Sequence, residues 1–295
     1  MTSTTSTAMP TIAFIGLGIM GSSMALNLMK AGFPLHVSTR SPAKAAPLVG
    51  AGAVLHATPG EAAAEADVVI TIVGLPSDVE EVYFSEGGIL DSAKTGTLLI
   101  DMTTSSPSLA IRIAEEAAKR GLSALDAPVS GGDIGAREAR LSIMVGGDED
   151  AFERAQTVFK AMGTTIAHQG GAGAGQHTKA CNQIVIANNM MGVAESIAYA
   201  RAAGLDVKKV LGSIGTGAAG SFLLSALGPK MLDGDFAPGF MIEHFVKDMT
   251  IAAAEAEGYG LDLVGLQASM EQYKRRLESG DACDGTQAII KSYEK

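Results

Sequence analysis

Four stretches of this chain carry residue types whose spacing suits chemistry. Near the start, Thr11-Ile-Ala-Phe-Ile-Gly16-Leu17-Gly18-Ile19-Met20-Gly21 places G-x-G-x-x-G directly behind an apolar run and at the opening of a helix. In such a loop Gly16 permits the tight turn, Gly18 lets the backbone approach a pyrophosphate, and Gly21 lets the helix pack on the strand. The helix then offers free N–H groups and its positive dipole end to phosphates. A second match, Gly215-Thr-Gly217-Ala-Ala-Gly220, follows a helical stretch and reads as a loop without a dinucleotide role.

The residue that reads the adenosine ribose is expected about 20 residues past the fingerprint, where the next apolar run ends. That run ends Leu35-His-Val-Ser-Thr39-Arg40-Ser41, and no Asp or Glu precedes Glu61. Arg40 and the hydroxyls of Thr39 and Ser41, with Lys44 adding charge, suit a 2′-phosphate. NADP(H) is therefore favoured, with NAD(H) left open.

The third stretch is Leu125-Asp126-Ala-Pro128-Val-Ser130-Gly131-Gly132. Ser130 and the two glycines can turn several backbone N–H groups toward one point and hold an anion; a plain tight turn is the competing reading. A serine nucleophile fails, because Pro128 stands where an elbow of the G-x-S-x-G type needs glycine. The fourth is Gly175-Gln-His177-Thr-Lys179-Ala-Cys181-Asn182-Gln183, where Lys179, Asn182 and Gln183 share one helix face. A lone helical lysine is usually solvated, but one shielded near a helix N-terminus has its pKa pushed down toward acid–base use. His177 and Cys181 are spaced as a metal pair without a third ligand at suitable spacing, so no metal is expected.

These segments need a frame that collects them. Short apolar runs recur at Thr11–Gly16, Leu35–Thr39, Val68–Val73, Thr97–Asp101, Ser123–Asp126, Leu141–Val145 and Thr164–His168. Helix candidates such as Met20–Ala31, Pro59–Glu65, Ser108–Arg120 and Asp150–Met162 lie between them. Strands apolar throughout and separated by helices predict an α/β fold, a mainly parallel sheet covered on both faces. The pattern leaves open whether later strands run antiparallel. Past Gly171, residues Gln176 to Ala203 contain no Pro and one Gly, predicting a helix of about 28 residues, near 40 Å long. Asp206–Leu211, Ser221–Met231, Lys247–Gly258 and Leu263–Gly280 also read as helices. Two domains are expected: residues 10–172, Rossmann-type and NADP(H)-binding, and residues 173–295, all-α and including the long interdomain helix.

Composition narrows the function classes. The chain has 295 residues, 47% of them hydrophobic, which is enough for a sizeable core. A net charge of −10 repels phosphate backbones and argues against a nucleic-acid partner. Residues Met1–Met9 read as a polar tail and not a secretory signal, and no apolar run reaches the length of a membrane span. Two cysteines cannot build a disulfide framework, so a cytoplasmic protein is expected, with no membrane partner.

Taken together and in this order, the segments resemble the β-hydroxyacid dehydrogenase family over Pro10 to Lys295. Ile15–Gly21 is similar to that family's cofactor motif, Asp126–Gly132 to its substrate loop, and Gly175–Asn182 to its catalytic segment. The resemblance implies a 6-phosphogluconate dehydrogenase-like architecture, Lys179 as acid/base, and Ser130, Gly131 and Gly132 holding a substrate carboxylate. It places Thr104, within Asp101-Met-Thr-Thr104, near the nicotinamide. Leu75-Pro76 looks like the family's cofactor-contacting turn, and Lys247-Asp248 like a late pair with the lysine near the cofactor. Asn182 would orient the lysine or the substrate oxygen.

Many members carry Asn-Asn where this chain has Asn182-Gln183; tartronate semialdehyde reductases carry Asn-Gln, and Ala219–Ser221 and Met231–Phe240 also resemble theirs. The implied reaction interconverts a small carboxylate-bearing semialdehyde and its hydroxyacid, in a homodimer or homotetramer. 3-Hydroxyisobutyrate dehydrogenase and glyoxylate/succinic semialdehyde reductase stand as alternatives. An imine reductase is more remote, since it usually has Asp or Tyr in place of Lys179. A non-catalytic nucleotide-binding module would tend to have lost that lysine.

Overall fold

The computed structural model describes residues 9–294, so the expected N-terminal tail, Met9 apart, lies outside the described residues. The chain divides into two compact units, one reaching Lys179 and the other running from Ala180 onward. In the first, the elements are β1 (Ile12–Ile15), α1 (Ile19–Lys30), β2 (Leu35–Ser38), α2 (Ala46–Gly50), β3 (Val54–Leu55), α3 (Pro59–Ala64) and β4 (Val68–Thr71). There follow α4 (Pro76–Phe84), α5 (Ile89–Ser92), β5 (Leu98–Asp101), α6 (Pro107–Lys119), β6 (Ser123–Asp126), β7 (Val129–Ser130), α7 (Gly132–Arg137), β8 (Leu141–Gly147), α8 (Glu149–Lys160) and β9 (Gly163–Gly170). Helix α9 (Ala174–Ala202) contributes its first turns.

The sheet order is β3-β2-β1-β4-β5-β6-β8-β7, with β9 beside β8. The first six strands pair in parallel, while β8 runs antiparallel to β6 and β7 and parallel to β9. This settles the strand directions that the apolar runs left open. All four residues of β1, β4 and β5 are buried, because helices cover both faces of the sheet. Ile12, Phe14, Ile70 and Ile100 fill one core, and Ala13, Ile15, Val69 and Leu99 the other. Side chains alternate across the sheet, so a run apolar at every position is what two cores require. Local caps mark the helix starts: Thr58, Ser106 and Asp148 each accept a backbone N–H of the first turn of α3, α6 and α8.

The second unit is helical. The remainder of α9 packs with α10 (Val207–Ile214), α11 (Phe222–Asp233), α12 (Ile242–Gly258), α13 (Val264–Glu278) and a closing 3₁₀ segment, Thr286–Ser292. Its core joins Met190, Val193 and Ile197 of α9 to Leu224, Phe245, Met249, Leu266 and Tyr273. The Tyr273 hydroxyl donates to the Thr286 carbonyl at 2.8 Å, tying the chain end to α13. Helix α12 begins five residues before the expected Lys247, which puts Lys247 and Asp248 in its second turn. Among the described residues no helix is long and apolar enough to cross a membrane.

Candidate active site

Register gathers the motif ends. Ser38, Ile15, Thr71, Asp101 and Asp126 are successive partners across β2, β1, β4, β5 and β6, so one row crosses the carboxyl edge of the sheet. The glycine loop, the Leu75-Pro76 turn, the 101–105 segment and the 126–132 loop all leave from this edge. Strand order reverses between β1 and β4, the place where open α/β sheets take ligands.

The glycine loop fits a dinucleotide on its own geometry. Gly16 has φ +100°, and a Cβ there would lie 2.2 Å from the Ile72 carbonyl oxygen. A Cβ on Gly21 would lie 2.0 Å from the Gly16 carbonyl oxygen, whereas one on Gly18 would meet nothing within 4 Å. Two glycines are thus demanded by the fold and the middle one leaves open space above it. Gly18 caps α1 without any side-chain acceptor, so the first N–H groups of the helix are left for an anion. Leu17 is in the core at 2% exposure, which leaves only its backbone to contact a cofactor; Ile19 is half exposed.

At the end of β2, Thr39 Oγ1 accepts from the Ser41 N–H at 3.2 Å, forming the turn that projects Arg40. The Arg40 guanidinium pairs with Asp78 at 2.9 Å. Leu75 caps α4 and Pro76 is its first residue, while Asp78 Oδ2 accepts the Leu75 N–H at 2.9 Å.

Three buried side chains shape the segments around the start of α9. Asp126 accepts the Gly173 N–H on Oδ1 and the Gln176 N–H on Oδ2, each at 2.8 Å, and so anchors the start of α9. Burial raises its carboxyl above the usual range, and those backbone N–H groups oppose the rise. Gln176, 2% exposed, donates to the Thr103 carbonyl at 2.7 Å and accepts from the Ser105 N–H at 3.0 Å. It bolts the residues on either side of Thr104, itself partly buried, to α9. Asp101 accepts from Thr71 Oγ1 at 2.8 Å and from the Thr103 N–H at 3.1 Å. Burial pushes its pKa up to about 6 against those hydrogen bonds, and the nearby Asp126 charge adds to the rise.

One turn beyond Gln176, Lys179 is 7% exposed and its Nζ donates to the Val129 carbonyl oxygen at 2.8 Å. The next residue is Ser130, partly exposed, followed by Gly131 at φ +134° and Gly132 at φ +63°. These left-handed conformations belong to glycine, and they reverse the chain from β7 into α7. An ammonium and a turn rich in backbone N–H groups therefore stand side by side within the first unit.

Farther along α9, in the second unit, Asn182 Nδ2 donates to Gln183 Oε1 at 2.7 Å, and Gln183 Nε2 donates to Asp248 Oδ2 at 2.6 Å. Lys247 Nζ forms an ion pair with Asp248 Oδ1 at 2.8 Å. The three expected residues of this unit are joined through one buried carboxylate.

Sequence reasoning quoted Asp101, Asp126, Gln176 and Asp248 only as neighbours of other residues, and missed Asp78, Thr71 and Thr103 as members of the network. Helix α4 was read only as the Leu75-Pro76 turn. Proline at the first helical position, with Asp78 in the first turn, was the signal available for it.

Comparison with known proteins places this geometry among relatives. Residues 11–171 match the NAD-binding domain of 6-phosphogluconate dehydrogenase, and residues 173–293 match the NAD-binding family of NADP-dependent 3-hydroxyisobutyrate dehydrogenase. The chain is 54% identical over 285 residues to the uncharacterized oxidoreductase YkwC of Bacillus subtilis, covering 97% of this chain and 99% of that one. It is 38% identical over 283 residues to the 2-hydroxy-3-oxopropionate reductase of Escherichia coli, covering 96% and 97%. The solved structure of the Mycobacterium tuberculosis 3-hydroxyisobutyrate dehydrogenase with L-serine matches with a TM-score of 0.89 at 33% identity, covering 97% of this chain and all of that one.

Proposed function

The chain belongs to the β-hydroxyacid dehydrogenase family, NAD(P)-dependent enzymes acting on a CH–OH group, and from that premise we propose that it is a tartronate semialdehyde (2-hydroxy-3-oxopropionate) reductase yielding glycerate. One observation carries this reading: the Lys179 ammonium lies on the Val129 carbonyl, adjacent to the Ser130–Gly132 turn. That spacing suits a carbonyl and a carboxylate borne by one small molecule. The Asn182-Gln183 pair favours the tartronate branch of the family.

In this reading Ser130 and the N–H groups of Gly131 and Gly132 hold the substrate carboxylate. Lys179 donates a hydrogen bond to the aldehyde oxygen and gives up a proton as negative charge develops there. In the reverse direction neutral Lys179 takes the hydroxyl proton. When bound, a nicotinamide dinucleotide would supply or accept the hydride. Gly16, Leu17, Gly18, Ile19, Met20 and Gly21 hold the pyrophosphate by backbone groups, and Thr39, Arg40 and Ser41 favour a 2′-phosphate, hence NADP(H). Leu75, Pro76, Thr104 and Lys247 complete the cofactor contacts, and Asn182 and Gln183 orient the reacting oxygen.

The test is a panel of tartronate, methylmalonate and succinic semialdehydes and glyoxylate, with the matching hydroxyacids, each with both cofactors. The highest kcat/KM is expected for tartronate semialdehyde with NADPH. Likeness to the mycobacterial enzyme favours a second reading, 3-hydroxyisobutyrate dehydrogenase, which a maximum on methylmalonate semialdehyde would establish. The proposal extends to a cytoplasmic homodimer or homotetramer. Exposed Val185, Tyr199 and Val264 on the second unit offer apolar surface for association, which light scattering would measure.

A further inference from the structure

The 2′-phosphate reader proposed above, Arg40, is already engaged. Its Nη1 lies 2.9 Å from Asp78 Oδ1, and of the two side chains only Asp78 is fixed. Asp78 is 15% exposed, and its other oxygen accepts the Leu75 N–H that starts α4. Gly74 makes room for it, since a Cβ at that position would lie 2.9 Å from Asp78 Oδ2. Arg40, by contrast, is 78% exposed on a long flexible stem.

Topology explains why the pair meets: β2 and β4 flank β1, so the ends of both strands open beside the glycine loop. No Asp or Glu stands before Glu61, so the carboxylate at this place comes from the first turn of α4 and not from the end of β2.

We propose that Asp78 is a specificity-determining residue that holds back the preference for a 2′-phosphorylated dinucleotide by competing for Arg40. The inference rests on the reading of Arg40 as the 2′-phosphate reader. A guanidinium shared with a fixed carboxylate presents little net charge to a phosphate dianion, and the carboxylate repels that dianion. Toward a 2′-hydroxyl the same carboxylate is an acceptor. Arg40 still has N–H groups beyond Nη1, so a phosphate is weakened there and not excluded.

Isothermal titration of the whole apo protein with adenosine 2′,5′-bisphosphate and with 5′-AMP tests this without turnover. The ratio of the two affinities isolates the 2′-phosphate. Asp78→Asn keeps an oxygen for the Leu75 N–H and removes the charge; the ratio is expected to rise about three- to tenfold, the size of a screened charge some 6 Å away. Asp78→Ser, which can also cap α4, is expected to act in the same direction. A ratio unchanged or lowered in both variants overturns the assignment, even if the wild type strongly prefers the bisphosphate. A wild-type ratio near one that rises in both variants retires the NADP(H) preference alone and leaves Asp78 as the brake on it.

Discussion

Lys179 reaches fifty residues back along the chain to donate its Nζ proton to the Val129 carbonyl at 2.8 Å. The contact restricts a long, flexible side chain and so costs rotamer entropy. It also ties the first turns of α9 to the Ser130–Gly132 turn beside it.

Replacing Lys179 by Ala is expected to lower kcat by at least ~10²-fold while dinucleotide binding stays nearly intact. NADPH fluorescence reads the second quantity independently of the first. Lys179→Arg keeps the charge but cannot release a proton near neutral pH, so it is expected to be as impaired as Ala. A variant with most of its turnover would remove Lys179 from the chemistry.

The glycine loop separates fold from binding. Gly21→Ala forces a Cβ to within 2.0 Å of the Gly16 carbonyl oxygen, and is expected to destabilise the protein by about 1–3 kcal/mol. Gly18→Ala meets no protein atom within 4 Å and is expected to leave the thermal midpoint in place. Its Cβ enters the space proposed for the pyrophosphate, so the dinucleotide Kd should rise about 10- to 100-fold. Midpoints and Kd values that moved together in both variants would contradict this division.

Gln176→Leu strands the Thr103 carbonyl and the Ser105 N–H in a buried place. The expected cost is about 2–6 kcal/mol, from about 1–3 kcal/mol for each orphaned group. Gln176→Glu keeps the acceptor for Ser105 but sets an oxygen against the Thr103 carbonyl. Its stability, followed by thermal unfolding, should recover as the pH is lowered and the carboxyl gains a proton to donate.

Asp101 gives the stability a pH dependence of unusual sign. Its pKa is raised from 3.8 to about 6 by burial, so the folded state binds the proton more tightly than the unfolded chain does. Its contribution is fully present below about pH 4 and is lost as the pH rises through about 6, a change of about 3 kcal/mol. In Asp101→Asn that segment of the stability–pH curve should be missing. Denaturant titrations of both proteins at several pH values between 4 and 7 would reveal it, and parallel curves would refute the assignment.

Several features were legible before any coordinates. The apolar runs announced strands buried on both faces, and the glycine spacing behind the first run announced a dinucleotide loop. Both are local demands: a run without polar positions has no solvent face, and a glycine is required where backbone meets backbone. The two-residue strands β3 and β7 were missed because so short a segment has no period to read. Helix α12 was started too late, since its first turn has no side-chain cap.

The sequence alone determined the fold class, the glycine loop, and the lysine with the turn that could serve it. Tertiary structure decided which carboxylates face backbone and which face a side chain. Asp126 and Asp101, which enter the sequence motifs only as neighbours, spend their oxygens on N–H and hydroxyl groups that set the site's shape. It also decided the reversal of β8, the Lys179–Val129 contact and the capture of Arg40 by Asp78. The physical reason is common to all of these: a motif specifies backbone conformation within a few residues, whereas a polar side chain's partner depends on which distant segment the sheet brings within 3 Å.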